Sequence, residues 1–155
     1  MKPLLLLNLA TMKKTSKREY RSGLEVKGAN ELTQLGVKFS YEPSGWVIYR
    51  KPPSKYKPDF VLPNGVIVET KGQFLSSDRS KHKLIKEQNP HLDIRFVFSN
   101  SRTKIGKKSS TTYGMWCERF GFNYADKSIP TNWIYEQPKP KQMEAVKKLF
   151  NGKKK

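Results

Sequence analysis

The sequence predicts an α/β fold, a mixed β-sheet flanked by helices, on three observations. Within Tyr56–Gln73, two short β-branched and aromatic runs surround a Pro63-Asn64-Gly65 turn signal, the pattern of a hairpin. Asp93–Ser99, DIRFVFS, has the apolar density of a buried strand. A helical stretch from about Ser77 to Gln88 lies between them, and a strand–helix–strand order sets the later strand parallel to its neighbour.

At 155 residues the chain is long enough for one domain with a modest core. Thirty-one Lys and Arg against thirteen Asp and Glu give a formal charge of +18, which calls for a polyanionic partner, nucleic acid or an anionic membrane surface. Aromatic residues at 12% make the composition globular, not that of a disordered basic tail. The single cysteine, Cys117, rules out an internal disulfide, suits a reducing cytosol and reads as a small buried apolar residue.

The elements follow in order. Met1–Ala10, MKPLLLLNLA, resembles the start of a signal peptide, but its apolar run is short and lacks a cleavage site. It also falls well below the roughly 20 residues that span a bilayer. Met12 is an alternative start with a basic leader. Residues 1–17 are expected to form a poorly ordered arm with lysines available to phosphate. From about Lys17 to Leu35, Leu24, Ala29, Leu32 and Leu35 recur near helical spacing, with Ser16 and Glu19 as a capping box and Gly36 as a stop. Glu25 flanks that stripe and reads locally as a solvated helix residue, and Gly28 weakens the helix without a local reason. A strand is predicted over Val37–Tyr41. The segment up to Lys57, with Pro43, Gly45, Pro52 and Pro53, is irregular, and its paired prolines favour an extended path, either a surface loop or a bridge to another subunit.

Beyond the hairpin, Ser77-Asp78 caps a helix with Leu84 and Ile85 inward and Arg79, Lys81, Lys83 and Lys86 around it, closed by Pro90. The loop after DIRFVFS interleaves hydroxyls with Arg102, Lys104, Lys107 and Lys108, which suits phosphate oxygens as well as it suits solvent. His82 and His91 lack metal-ligand spacing and are left as surface or core residues. Thr112–Phe120 reads as a short helix before Gly121, and an Ile129-Pro130 turn leads into a last helical turn with Trp133. Met143, Val146 and Phe150 mark one weak amphipathic helix, ending at Asn151-Gly152, in a basic tail.

The hairpin carries the chemistry. A two-residue Asn64-Gly65 loop would set Asp59 opposite Thr70 and turn Asp59 and Glu69 to opposite faces. A three-residue Pro63-Asn64-Gly65 loop instead pairs Leu62 with Val66 and Asp59 with Glu69. That loop is a type I turn closed in the left-handed region, where Gly65 fits without steric cost. Asp59, Val61, Ile67, Glu69 and Lys71 then share one face, with Val66 and Val68 on the other. Paired carboxylates suit Mg²⁺, which takes hard oxygen ligands, keeps several waters, polarises a phosphodiester and lowers the pKa of bound water. Lys71 could orient that water or offset charge on the phosphorane. A general-base role would need a pKa far below about 10.4, so the electrostatic role is preferred. The competing reading, a surface hairpin with an exposed Glu–Lys pair worth about 0–1 kcal/mol, fits E-x-K alone but not the whole arrangement.

Pro58-Asp59 with Glu69-Thr70-Lys71 is the pattern of the PD-(D/E)xK nucleases. Further blocks resemble the phage endonuclease I family, which resolves four-way DNA junctions and cuts branched DNA. They are Tyr20–Glu25, Tyr56–Gly72, Asp78–Arg95, Ser101–Lys104, Tyr113-Gly114 with Trp116-Cys117, Ala125–Lys127, Ile129-Pro130 and Trp133-Ile134, in order across about residues 18–135. The resemblance implies a restriction-endonuclease-like sheet in an intertwined, segment-swapped homodimer, with a nuclease domain at 18–137, a bridge at about 43–55 and a basic tail at 138–155. It implies four catalytic positions, Glu25, Asp59, Glu69 and Lys71. Asp59 would bridge two Mg²⁺ ions, Glu69 and the Thr70 carbonyl would complete one site and Glu25 the other, with Mn²⁺ able to substitute. Each active site would take Glu25 from one chain and the hairpin residues from its partner.

The expectation is therefore a Mg²⁺-dependent, structure-selective endonuclease making paired nicks at junctions in a host cytoplasm, with no membrane partner and no small-molecule cofactor. Arg79, Lys81, Arg102, Lys104, Lys107 and Lys108 are the expected phosphate contacts, each neutralised phosphate adding about 0.9 to the log–log salt slope on duplex DNA. The alternatives are a general or sequence-specific nuclease on the same motif, and a non-catalytic basic DNA-binding protein.

Overall fold

The computed structural model describes residues 20–49 and 54–150. The N-terminal arm, the Ser16–Glu19 capping box, Pro52-Pro53 and the Asn151-Gly152 stop fall outside them. The elements run α1 (Gly23–Gln34), β1 (Ser40–Tyr41), β2 (Val47–Tyr49), β3 (Ser54–Tyr56), β4 (Phe60–Val61), β5 (Ile67–Lys71), α2 (Ser76–Gln88), β6 (Ile94–Phe98), α3 (Tyr113–Phe120), β7 (Tyr124–Asp126), α4 (Thr131–Tyr135) and α5 (Pro140–Phe150). Five strands make a mixed sheet in the order β1-β4-β5-β6-β7, while β2 and β3 form a separate antiparallel pair. The pairings within the main sheet are antiparallel through β5 and parallel from β5 to β7. The predicted parallel neighbour of the hairpin is thus β6. The short β7, which the sequence reading did not separate from its loop, extends the parallel half.

The hairpin has the three-residue loop. Phe60 lies opposite Val68 and Val61 opposite Ile67, the register that sets Asp59 across from Glu69. Gly65 closes the turn at φ +89°, and its N–H donates to the Leu62 carbonyl at 2.9 Å. Asn64 is buried, and its side-chain amide donates to the carbonyls of Trp133 (2.8 Å) and Glu136 (2.9 Å), tying the turn to the end of α4. The alternation separates two cores. Val61 and Ile67 pack with Ile85, Trp116, Val146 and Phe150 from α2, α3 and α5. Phe60, Val66 and Val68 pack with Ala29, Leu32, Trp133 and Ile134 from α1 and α4.

Several elements differ from expectation: the segment read as irregular holds the β2–β3 pair, and the strand predicted over Val37–Tyr41 is limited to Ser40–Tyr41. Helix α1 starts at Gly23, because Ser22 is extended and its hydroxyl caps the helix by accepting from the Glu25 N–H. Its buried face is Glu25, Gly28, Ala29 and Leu32, while Leu35 is 44% exposed. Gly28 has its reason here: an added Cβ would come within 3.3 Å of the buried Phe60 ring. Helix α2 is capped at Leu75, whose N–H donates to the Asp78 carboxylate at 3.1 Å, and it buries His82 along with Ile85. The amphipathic helix expected in the basic tail forms as α5 but is integral to the fold, since its Val146 and Phe150 are core residues and Gly45 packs against the Phe150 backbone. Among the described residues no helix is long and apolar enough to cross a membrane.

Candidate active site

Alternation along the hairpin brings Asp59 and Glu69 to one face at its open end, and α1 adds Glu25 from the neighbouring edge of the sheet. All three carboxylates are buried, at 2%, 5% and 6% exposure. With Thr70 and Lys71 they line one cleft of about 460 Å³, so five positions drawn from 47 residues of sequence converge within this single chain. Arg21, Lys55, Lys57 and Lys81 contribute four further cations, and Trp46 and Tyr56 two aromatic rings.

Each carboxylate is held by one of its oxygens. Glu25 Oε1 accepts from the Tyr41 hydroxyl (2.6 Å) and the Arg21 N–H (2.7 Å). Glu69 Oε1 accepts from the Tyr56 hydroxyl at 2.6 Å and, more weakly, from the Asp59 N–H at 3.4 Å. Asp59 Oδ2 accepts from both the N–H and the hydroxyl of Thr70, each at 2.9 Å. The opposite oxygens face cations beyond hydrogen-bond reach: Arg21 Nη2 lies 3.7 Å from Asp59 Oδ1, and Lys71 Nζ lies 3.9 Å from Glu69 Oε2. Lys71 is itself oriented by Asp78, 3.3 Å away, whose other oxygen caps α2. The first turn of α2 is thereby tied to the site lysine.

The electrostatics follow from that crowding. Burial, then the charges of Glu69 and Glu25, push the Asp59 carboxyl well above the ordinary carboxylate range, against the two Thr70 hydrogen bonds. Burial also raises Glu69, with Lys71, the Tyr56 hydrogen bond and Lys81 pulling it back. Burial, reinforced by Glu69, drives the Tyr56 phenol well above its usual value, so Tyr56 is a fixed donor. Behind it His82 is fully buried, its ring edge-on to Tyr56 and Phe96 at 5.0 and 4.9 Å. Burial, aided by Lys71 and Lys81, lowers its pKa well below the usual histidine value, and neither ring nitrogen has a hydrogen-bond partner among the described residues. It is a core residue that supports Tyr56.

A hard cation fits this arrangement. Burial and mutual repulsion penalise the charged form of Asp59 beside Glu69 and Glu25, a conflict that a bound cation would relieve, and each carboxylate keeps one oxygen outside the protein's short hydrogen bonds. Among the described residues no three His, Cys, Asp or Glu side chains are grouped as a self-sufficient metal cage. Mg²⁺ does not require one, since one or two carboxylates with waters and substrate oxygens suffice. Replacing Tyr56 by Phe leaves Glu69 Oε1 with only the long Asp59 contact. The expected result is about 10- to 100-fold weaker binding of a divalent cation, the usual scale for losing a ligand-orienting partner. Direct Mn²⁺ titration of the variant, with an unchanged circular dichroism spectrum, checks it.

Of the six expected phosphate contacts, Lys81 lines the cleft, its ammonium 5.6 Å from the Tyr56 ring centre. The Arg79 guanidinium donates to the Phe74 carbonyl at 2.6 Å. Arg102, Lys104, Lys107 and Lys108 are exposed on the loop after β6, which leaves the sheet beside Lys71, the Ser99 N–H donating to the Lys71 carbonyl. Within that loop Ser101 donates from both its N–H (2.8 Å) and its hydroxyl (3.0 Å) to Asp126, so this hydroxyl shapes the loop. Sequence reasoning missed Arg21, Tyr41, Trp46, Lys55, Lys57 and the positioning role of Tyr56. The one local signal available was Ser22-x-x-Glu25, an N-cap spacing that fixes Glu25 in the first turn of α1.

The family model described as Phage endonuclease I matches residues 7–154. The chain is 51% identical over 138 residues to the Endonuclease I of Escherichia phage T7, covering 87% of this chain and 91% of that protein. It is 52% identical over 128 residues to the Endodeoxyribonuclease 1 of Enterobacteria phage T3, covering 81% and 83% respectively. With the hairpin motif, Glu25 and the cationic cleft assembled in one fold, and matches running nearly end to end, the chain belongs to the phage endonuclease I family.

Proposed function

We propose that the protein is a Mg²⁺-dependent, structure-selective DNA endonuclease that hydrolyses phosphodiesters at four-way junctions and other branched DNA. The observation that carries this reading is the convergence of Glu25, Asp59, Glu69 and Lys71 in one cleft edged by further cations. The names of the relatives, an endonuclease and an endodeoxyribonuclease, support DNA as the substrate. The charge of +18 supports binding to several phosphates at once, as a branched substrate offers.

Bound Mg²⁺, or Mn²⁺ in its place, supplies Lewis-acid polarisation of the phosphodiester and a water of lowered pKa. Asp59, between Glu69 and Glu25, would be shared by two ions, with Glu69 and the Thr70 carbonyl completing one position and Glu25 the other. Tyr41, Tyr56 and Thr70 hold these carboxylates in place. Lys71 would orient the attacking water and offset negative charge while the water oxygen bonds to phosphorus and gives up a proton to solvent. The bond to the leaving oxygen breaks, and that oxygen takes a proton from solvent. The active form is a segment-swapped homodimer acting in the host cytoplasm. Chains exchange across the bridge at about residues 43–55, so that each site takes Glu25 from one protomer and the hairpin from its partner, and two such sites nick opposing strands.

The test compares cleavage of a labelled four-way junction and a linear duplex of matching arms, with Mg²⁺ and with EDTA, by wild type and Lys71→Ala. Paired, metal-dependent nicks near the branch, reduced at least about a thousandfold in the variant, are expected. Equal cutting of both substrates would remove the junction preference, and binding without any cutting would remove the enzyme.

A further inference from the structure

The β2–β3 pair serves two surfaces at once. Val47 lies opposite Tyr56 in its ladder, so Trp46, one residue earlier, falls opposite Lys57 and diagonal to Lys55. Tyr56 turns inward to Glu69, while Lys55 and Lys57 turn outward with their ammonium groups over the Trp46 ring, 5.2 and 4.6 Å from its centre. A base stacking there would displace them from the ring onto the adjoining phosphates. Trp46 is 42% exposed although it lines the same cleft as the carboxylates. The other two tryptophans, Trp116 and Trp133, are each 6% exposed and belong to the two cores.

An exposed indole at the wall of a cationic catalytic cleft has no part in the core and no part in the chemistry of the carboxylates. An aromatic face with flanking cations is the arrangement that binds a nucleic-acid strand by stacking its bases and tracking its phosphates. We propose that Trp46 is a stacking platform for an unstacked nucleobase of the strand entering the cleft, with Lys55 and Lys57 on the phosphates beside it. The proposal rests on the DNA reading above and deepens it. A base at a branch point is already partly free of its neighbours, so removing it from the stack costs less there than within a duplex. Trp46 would thus favour strands that can present a loose base near the scissile phosphate.

The experiment follows intrinsic fluorescence of the full-length protein in EDTA, where no cutting occurs, during titration with a single-stranded oligothymidylate. A base-free deoxyribose-phosphate oligomer of equal length serves as the control. Stacking predicts quenching by the oligothymidylate and little change with the base-free oligomer. Trp46→Ala should bind the oligothymidylate about 5- to 150-fold more weakly, the equivalent of roughly 1–3 kcal/mol per stacked base, with affinity for the base-free oligomer unaltered. Trp46→Phe should recover part of the loss. Equal quenching by both oligomers, or unchanged oligothymidylate affinity in Trp46→Ala, would overturn the proposal while leaving the nuclease reading intact. The nuclease reading fails separately, if wild type cuts no DNA with Mg²⁺ present.

Discussion

Asp59→Asn should abolish cleavage and, in the absence of metal, make the protein more stable at neutral pH. The loss follows from the position of Asp59 between Glu25 and Glu69, where it is the carboxylate both metal positions would share. A fall of at least about a thousandfold is expected, equivalent to about 4 kcal/mol of transition-state stabilisation. The gain follows from burial. Asp59 is 2% exposed, and burial, Glu69 and Glu25 together raise its folded-state pKa well above the unfolded value of about 3.9. A carboxyl shifted in that direction contributes stability that is complete below the unfolded pKa and is lost as pH rises through the folded one. At neutral pH the ionised form is the penalised one, and the amide removes the charge while its oxygen still accepts from Thr70. An increase of about 1 kcal/mol is expected, or roughly 2–4 °C in Tm for a chain of this size, measured in EDTA. The difference between variant and wild type should shrink as pH is lowered and wild-type Asp59 protonates. Added Mg²⁺ should raise the Tm of wild type and not of Asp59→Asn, since only a state that binds the ion is stabilised by it. A variant less stable than wild type in EDTA at neutral pH would mean that the carboxylates are not in mutual conflict.

What the sequence revealed of this site depended on whether the information was local. The hairpin register could be derived because turn chemistry and period-two alternation act over a few residues, and Gly65 at φ +89° is the direct consequence. Glu25 could not be found from periodicity, because the buried stripe of α1 is Glu25-Gly28-Ala29-Leu32, a carboxylate and a glycine among two apolar residues. The eye is drawn instead to Leu24 and Leu35, one half-buried and the other 44% exposed. Tyr41 and Tyr56 sit 16 and 13 residues from the carboxylates they hold, in segments with no repeat or turn to relate them. Their roles exist only once β1 has paired with β4 and the β2–β3 pair has packed against α2. His82 was hidden differently. It lies in a helix rich in lysine, and only the ring contacts of Tyr56 and Phe96 make it a core residue.

The proposed exchange of segments between chains has an all-or-none consequence. In this chain Glu25 meets its own Asp59 and Lys71 in one cleft, and the connection between β2 and β3 is the four residues 50–53, containing Pro52-Pro53. Passing those four residues to a partner preserves the contacts within each lobe and changes only which chain supplies each half. Paired prolines in a sequence favour an extended path over a tight reversal, which suits a crossing to a partner. A purified heterodimer of Glu25→Gln with Lys71→Ala distinguishes the two connections. Without exchange, each site lacks one group and the heterodimer is as inactive as either homodimer. With exchange, one site collects both substitutions and the other collects none. The expected result is therefore one fully competent site, nicking one strand of a four-way junction at about half the wild-type total rate and seldom completing the paired cut. Recovery from a loss of at least about a thousandfold to within a factor of about two leaves no intermediate case. An inactive heterodimer would assign Glu25 and Lys71 to the same chain in each site, and paired nicking would then require two closed protomers held together by some other surface.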